Sequence, residues 1–221
     1  MDDAAVAWIT LIGPDEAEGR LRATYARIAG PDGQVDRVLQ LHGLRPHTLD
    51  GHLALYKATL HHAGNTLPNW FLELLGVYVS RLNGCAYCVA HHHAGLARLV
   101  GEAIASALAD AAHGGDDGAA GDVVRAHHGS LGADPRLAEA IGPALAYARA
   151  LTRTPGAMER ENVDALRAAG LDDGEVLEVN QVVAYFAYVN RAVNGLGVSH
   201  AGEPLGLAPR NAADEGDVRH G

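Results

Sequence analysis

The chain has little of what several classes of protein require. Of its 221 residues only one is a lysine, Lys57, and the formal net charge at pH 7 is −10. Nucleic-acid binding relies on clustered Lys and Arg, so a DNA or RNA partner is excluded. No stretch approaches the roughly 20 consecutive apolar residues of a bilayer span, and the N-terminus has no basic and apolar leader. These absences predict a soluble, cytoplasmic protein without a membrane partner.

Cysteine is also scarce, since only Cys85 and Cys88 occur, three positions apart. A disulfide that closes so short a loop removes only about 2 kcal/mol of unfolded-chain entropy. Secreted scaffolds space their cysteines to close longer loops. The pair is therefore poorly suited to act as a structural staple.

The remaining composition favours helices, because alanine is abundant, β-branched runs are short and aromatic residues make up only 5%. Apolar residues recur every three or four positions from Leu67 to Leu82 and again from Cys85 to Val100. Asn83-Gly84 interrupts them, which predicts a helix hairpin. Other helices are predicted over 15–28, 35–44, 46–62, 102–112, 135–152, 159–169 and 172–196, with a surface loop over 113–122.

The two halves of the sequence show a weak internal repeat. Leu67-Pro-Asn and Leu171-Asp-Asp each precede a long apolar helix, which suggests two repeated halves of which only the first keeps cysteines. We predict one all-α helical-bundle domain over residues 1–200 that carries the Cys-x-x-Cys site. Residues 201–221 are polar and are predicted to form a mobile tail.

Two cysteines and one histidine share a face of the second hairpin helix. Cys85, Cys88 and His92 follow one another at three- and four-residue steps, so their side chains can converge. Cys85 lies in the first turn, where unpaired backbone N–H groups and the helix dipole lower the pKa of a thiol. His92 is placed to accept or return a proton. The pattern predicts a reactive dithiol with an acid–base partner.

Glu73 lies twelve residues before Cys85, on the first hairpin helix beside Gly76 and Ser80. The small side chains beside Glu73 leave its carboxylate unable to project into water, so we expect it to pair with another group. Antiparallel packing of the hairpin brings it toward the cysteine-bearing helix. Partial burial there raises the pKa of a carboxyl group and makes it a proton carrier. The predicted catalytic residues are Glu73, Cys85, Cys88 and His92.

The other histidines belong to no recognisable motif. Consecutive helix residues point in different directions, so only one of the run 91–93 can share the cysteine face. His91 and His93 are therefore expected at the surface. Solvated or capping roles, rather than metal binding, are expected for the pairs His61-His62 and His127-His128.

Two alternatives apply to the cysteines themselves. Zinc could bind Cys85, Cys88 and His92, but a closed structural site needs a fourth ligand, and the sequence has no second Cys-x-x-Cys or suitably spaced Cys/His pair. Inert packing is disfavoured by a position at a helix start directly after Asn83-Gly84. We predict neither a metal nor a cofactor.

The stretch from Glu73 through Asn83-Gly-Cys-Ala-Tyr-Cys-Val-Ala-His-His92 resembles the signature of the alkyl hydroperoxidase D and carboxymuconolactone decarboxylase superfamily. The pattern E-x11-C-x-x-C-x-x-x-H requires four functional residue types at fixed spacing. The C-terminal half, with Gly170-Leu171 and Val189-Asn-Arg191, resembles members called peroxidase-related enzymes. The resemblance extends over residues 15–200.

This resemblance implies an all-helical fold, a trimeric or hexameric homo-oligomer, and a dithiol that reduces hydroperoxides. Cys88 would attack the peroxide, and Cys85 would be the more exposed partner that exchanges with an external dithiol reductant, such as a lipoyl or thioredoxin-like protein. Glu73 and His92 would form the proton relay. Tyr87 departs from the pattern, because alkyl hydroperoxidase D has a relay His at that position.

Two other classes of function stay open. A cofactor-free lactone decarboxylase of the same superfamily needs acid–base residues but no dithiol, so the intact cysteine pair counts against it. A non-enzymatic helical oligomer would use the dithiol only to sense oxidation or to dock a partner. Peroxide consumption with a dithiol reductant separates the peroxidase from both.

Overall fold

Helices joined by short turns make up the chain. The computed structural model describes residues 6–30, 33–114 and 118–205. These residues form no β-strand, which confirms the all-α prediction, and none of their helices is long and apolar enough to cross a membrane. A short 3-10 helix spans Pro155–Ala157. The α-helices are α1 (Gly19–Ile28), α2 (Arg37–Gln40), α3 (Pro46–Leu60), α4 (Asn69–Leu82), α5 (Ala86–Val100), α6 (Glu102–His113), α7 (Ala119–Leu131), α8 (Leu137–Arg153), α9 (Arg160–Ala168) and α10 (Asp173–Gly195).

The α4 helix lies at the centre of the core. Every residue from Trp70 to Ser80 is buried, and a helix that is buried all round must pack against neighbours on several sides. These neighbours are α5, α8 and α10. Pro68, in an extended conformation, precedes the first turn, so α4 begins two residues later than predicted.

A tight turn folds α5 back along α4, as the predicted hairpin requires. Gly84 has φ +63°, a left-handed conformation that glycine adopts without a steric penalty. Cys85 then serves as the N-cap of α5, and its carbonyl accepts a hydrogen bond from the Val89 N–H at 3.0 Å. The local sequence thus fixes the cysteines at the start of a helix.

The long helix α10 packs closely on α4. Its N-terminus carries a capping box in which Asp172 accepts from the Glu175 N–H and Glu175 accepts from the Asp172 N–H. Further along, the ring of Phe186 lies over Gly76, where an added Cβ would come within 2.3 Å of the ring. The two helices of the proposed repeat are therefore direct neighbours, and the duplication itself stays a prediction.

The helix α7 was not predicted, and the loop expected over 113–122 is shorter than expected. Gly121 and its polar neighbours were interpreted as loop residues. In the structure a Cβ on Gly121 would lie 2.4 Å from the Ala138 carbonyl, so this glycine permits close packing of α7 on α8. A packing glycine and a loop glycine look the same in sequence.

Two further boundaries differ near the N-terminus. The helix expected over 15–28 begins only at Gly19, and the helix expected over 35–44 is the short α2 followed by turns. Helix ends are the least determined part of a periodic pattern, because polar residues suit both turns and exposed helix faces.

Candidate active site

The two thiols lie together at the start of α5. The Sγ atoms of Cys85 and Cys88 are 2.8 Å apart, and both cysteines are free. Cys85 is 0% exposed and Cys88 is 3% exposed. The pair is a buried dithiol whose sulfurs need to approach to about 2.05 Å to form a disulfide.

Hydrogen bonding between the thiols makes one of them more acidic than the other. The hydrogen bond between the two sulfurs stabilises the Cys85 thiolate, which lowers the pKa of Cys85 and outweighs the opposing effect of burial. The same bond, followed by burial, raises the pKa of Cys88. This order agrees with the helix-dipole argument. The expectation that Cys85 is the more exposed sulfur is wrong, because both sulfurs belong to the hydrophobic core.

Glu73 and His92 form a buried pair beside the thiols. Packing of α4 on α5 places Glu73 Oε2 2.7 Å from His92 Nδ1, and the Glu73 side chain is 1% exposed. The ring of Phe186 contacts His92 edge-on, with 4.6 Å between ring centroids. With Nδ1 bonded to the carboxylate, Nε2 is the nitrogen left for proton exchange. His92 is close enough for its charge to lower the pKa of Cys85.

An amide from α10 completes the surroundings of the thiols. The fully buried Asn190 side chain lies close enough to both thiols to stabilise their thiolates, which contributes to the lowered pKa of Cys85 and opposes the rise in the pKa of Cys88. Its Nδ2 also donates to Ser80 Oγ at 3.1 Å, and its Oδ1 accepts from Asn83 Nδ2 at 3.0 Å. Asn190 is not among the site residues that the sequence predicts. A polar residue on the otherwise apolar stripe of α10 was the available signal.

A second histidine approaches the carboxylate from the other side. His61, the C-cap residue of α3, places Nε2 4.0 Å from Glu73 Oε1, and its side chain is only 14% exposed. Tyr56 OH lies 2.8 Å from the same nitrogen. Of the two roles expected for His61, capping is confirmed and solvation is wrong, because α3 ends against α4. Its neighbour His62 is exposed, as expected.

The side chains of Tyr87 and His91 project from a face of α5 other than the one that carries the thiols. The Tyr87 hydroxyl accepts from the Val38 N–H at 3.1 Å and donates to Glu203 Oε1 at 3.3 Å. Burial raises the pKa of Tyr87, so its phenol stays neutral. His91 stacks on Tyr87, with 4.4 Å between ring centroids, and lies 3.6 Å from Glu203 Oε2. His91 is therefore buried, and its expected surface position is wrong.

Part of the segment predicted as a mobile tail is held in place. The Arg37 guanidinium donates to the carbonyls of Ser199 and Ala201 at 2.6 and 2.9 Å. The Arg37 backbone N–H donates to Glu203 Oε1 at 2.6 Å. The tail is thus anchored as far as Glu203, and residues 206–221 lie outside the described part of the chain.

The other histidines have the exposure that their interpretation predicts. His127 and His128 are exposed on the last turns of α7, and His93 is partly exposed near Glu102. Within residues 6–30, 33–114 and 118–205, no group of three or more His, Cys, Asp or Glu side chains is arranged to hold a metal ion.

No protein-family model and no curated protein matches this chain, but solved structures do. One is an alkylhydroperoxidase AhpD core protein from Ralstonia eutropha JMP134, described as an uncharacterized peroxidase-related protein. It aligns with a TM-score of 0.62 over 88% of this chain and 92% of its own, at 19% identity. The chain has the alkylhydroperoxidase D fold. The resemblance found in the sequence is thereby confirmed at the level of the fold.

Two further structures share the alkylhydroperoxidase D fold. An uncharacterized peroxidase-related protein from Silicibacter sp. TM1040 aligns with a TM-score of 0.62 at 20% identity, covering 90% of each chain. The debrominase Bmp8 aligns with a TM-score of 0.54 at 19% identity, covering 83% of each chain. The fold is therefore shared by proteins whose names describe different reactions.

Proposed function

We propose that this protein is a thiol-dependent peroxidase, an oxidoreductase that uses the Cys85–Cys88 dithiol to reduce hydroperoxides. One observation carries the proposal: two thiols 2.8 Å apart lie beside a buried carboxylate–histidine pair. A dithiol supplies two electrons, and the pair of Glu73 and His92 can move the protons. The alkylhydroperoxidase D fold and the peroxidase-related names of two neighbours support it.

The first step is attack of a thiolate on the O–O bond of the hydroperoxide. The sulfur gains one oxygen and becomes a sulfenic acid, while the alkoxide leaves and takes a proton to become the alcohol. His92 supplies this proton through Nε2, after having taken it from the thiol. Glu73, bonded to Nδ1, stabilises the protonated ring between the two transfers.

The second step joins the two sulfurs. The remaining thiol attacks the sulfenic sulfur, water leaves, and the Cys85–Cys88 disulfide forms. An external dithiol then reduces it by thiol–disulfide exchange and is itself oxidised. We propose a lipoyl or thioredoxin-like protein as this reductant. No tightly bound cofactor is needed, because both electrons come from thiols.

The order in which the sulfurs act is the finer part of the proposal. The resemblance assigns the attack to Cys88, whereas the thiol hydrogen bond stabilises the thiolate on Cys85. The Cys85 thiolate can accept the proton of Cys88 across 2.8 Å, so Cys88 can act as the nucleophile once that proton has moved. Either order ends in the same disulfide.

Burial of both sulfurs sets a condition on turnover. At 0% and 3% exposure, neither sulfur of the Cys85–Cys88 pair can meet a protein reductant without local opening. Exclusion of water strengthens the hydrogen bonds that hold the site. Reduction of the Cys85–Cys88 disulfide by a protein therefore requires movement near the turn between α4 and α5.

The same fold carries other names, so substrate identity has to be tested. Bmp8 is called a debrominase, and one of its structures contains 2,3,4-tribromopyrrole. We also propose a homo-oligomer, a trimer or its multiple, because apolar side chains such as Leu55, Leu177 and Tyr188 are exposed in the single chain. Light scattering that gives a monomer mass would contradict this assembly.

The deciding experiment measures peroxide consumption in the presence of excess dithiol. The wild type is expected to consume hydroperoxide, whereas Cys85→Ser and Cys88→Ser are not. After peroxide treatment without reductant, mass spectrometry should show a loss of two hydrogens and no covalent dimer. Free thiols after excess peroxide would defeat the peroxidase and leave the decarboxylase or the docking oligomer.

A further inference from the structure

The two oxygens of the Glu73 carboxylate have different partners. Oε2 is bonded to His92 at 2.7 Å, but no side chain among the described residues forms a hydrogen bond with the buried Oε1. A buried carboxylate oxygen without a donor carries an uncompensated desolvation cost. The polar group placed to relieve it is His61, whose Nε2 lies 4.0 Å away.

The position of His61 is fixed by the end of α3. Its backbone N–H closes the last turn by donating to the Lys57 carbonyl at 3.1 Å. Its ring packs edge-on against Tyr56, with 4.8 Å between ring centroids, and the Tyr56 hydroxyl is 2.8 Å from Nε2. His61 and His92 have side chains of equal exposure, 14%, on opposite sides of the 1% exposed Glu73.

We propose that His61 is a second histidine of the relay, so that Glu73 shares one proton between His92 on Oε2 and His61 on Oε1. This inference rests on the proposed function for its role in turnover, but the shared proton is a property of the resting protein. His61 acts through Glu73 and is therefore a positioning residue rather than a catalytic residue.

The proton transfer balances without another reactant. The thiol proton reaches Nε2 of His92, whose Nδ1 proton passes to Oε2 of Glu73. Rotation of the protonated carboxyl group turns the protonated oxygen toward His61, Nε2 of His61 takes this same proton, and the carboxylate is restored. This requires the 4.0 Å gap to close to about 2.8 Å. The Tyr56 hydroxyl donates to the single lone pair of Nε2 in neutral His61, so it must turn away before this nitrogen takes the proton, and it can then accept from the protonated ring.

A positive charge on one of the two histidines opposes a positive charge on the other. Burial lowers the pKa of His61, Glu73 raises it, and the charge on His92 lowers it. A proton on either ring thus disfavours a proton on the other. Three further groups interact electrostatically with Glu73: Tyr56 on α3, Arg98 on α5 and Tyr185 on α10. Asp36 interacts in the same way with Tyr56 and His92, and His52 interacts with His92.

The first test follows the titration of the His61 ring by NMR in the full chain. In His92→Gln the titration should move to higher pH by about one pH unit, because a competing cation is lost and Glu73 is free. In Glu73→Gln it should move to lower pH, because the attraction is lost. His62→Gln is the matched control, since His62 is exposed and its Nδ1 accepts from the Gly64 N–H instead.

An unchanged His61 titration in both His92→Gln and Glu73→Gln would overturn the shared proton. This measurement involves no peroxide, so its result is independent of the peroxidase proposal. Two variants are used because either buried substitution alone could disturb the fold. A shift of the His61 titration to higher pH in His92→Gln and to lower pH in Glu73→Gln supports the shared proton.

The second test connects His61 to turnover. His61→Gln should slow peroxide-driven disulfide formation about tenfold, less than the hundredfold or more of a direct acid–base group, and should remove one limb of its pH profile. His62→Gln should leave both the rate and the profile unchanged. Equal rates and profiles for His61→Gln and the wild type would overturn the role in turnover. A wild type that consumes no peroxide would instead defeat the proposed function.

Discussion

Two faces of α5 carry similar groups that meet very different surroundings. On the relay side, defined by Glu73, Cys85, Cys88 and His92, the carboxylate–imidazole distance is 2.7 Å. On the tail side, defined by Tyr87, His91 and Glu203, the corresponding carboxylate–imidazole distance is 3.6 Å. The consecutive histidines point to different clusters because successive helix residues are rotated by about 100°.

The origin of each carboxylate explains the contrast. Glu73 belongs to α4, which is buried along most of its length and holds its side chains in fixed positions. Glu203 follows α10 and is held by the backbone of Arg37 and the hydroxyl of Tyr87. Chemistry that moves protons requires groups on rigid elements, whereas Glu203 anchors the segment after α10 through Oε1 alone, since its Oε2 has no hydrogen-bond partner among the described residues. We therefore expect reactivity on the relay side and stability on the tail side.

The largest expected effect comes from removing one sulfur of the relay side. Cys85→Ser and Cys88→Ser should each abolish reductant-dependent turnover, because the disulfide cannot form. Coupled peroxide consumption and mass spectrometry measure both consequences. Glu203→Gln is the matched tail-side control and should still form the Cys85–Cys88 disulfide. Full turnover in either serine variant would remove the dithiol from the mechanism.

The next effect tests the acid–base pair. His92→Ala and Glu73→Gln should each slow peroxide-driven disulfide formation by about 10² or more and flatten its pH dependence. The double variant should be no slower than the singles, because the two residues act as one unit. Stopped-flow oxidation of the folded variants from about pH 5 to about pH 9 measures this. Rates within a few-fold of the wild type would show that the pair only supports the fold.

A smaller effect distinguishes the two sulfurs. The pKa of Cys85 is lowered and that of Cys88 is raised, so Cys85 loses its proton before Cys88 does as pH rises. Iodoacetamide should label Cys85 about tenfold faster than Cys88, and Cys85 labelling should slow as pH falls through the pKa of Cys85, because the thiolate is the reactive form. Peptide mapping measures the ratio. Cys88→Ala removes the donor and should shift Cys85 labelling to higher pH, and equal labelling in the wild type would contradict the assignment.

The smallest effect on chemistry is expected on the tail side. Glu203→Ala removes the acceptor for the Arg37 N–H and the Tyr87 hydroxyl and should lower the free energy of unfolding by about 1–3 kcal/mol. Thiol oxidation in the folded fraction should stay within about threefold of the wild type. Chemical denaturation and stopped-flow oxidation give the two values. A hundredfold slower oxidation would show that the tail side belongs to the relay.

Much of this site could be predicted because its residues lie close together in the chain. Glu73, Cys85, Cys88 and His92 fall within one helix hairpin, and helical periodicity determines which of their side chains share a face. The same periodicity predicted α4, α5 and α10 within a few residues of their ends. It failed at α7, because Gly121 gives no sequence signal that separates a packing contact from a loop.

The sequence by itself determined the hairpin, the order of its functional groups and the helical class of the fold, since these depend on local periodicity. Only the tertiary structure decided that both thiols are buried, that Asn190 reaches them from α10, and that His61 faces the free oxygen of Glu73. Asn190 lies more than a hundred residues from the cysteines, and His61 precedes α4 by an irregular connection. No periodic pattern relates such positions, because their contacts arise only when separate helices pack around α4.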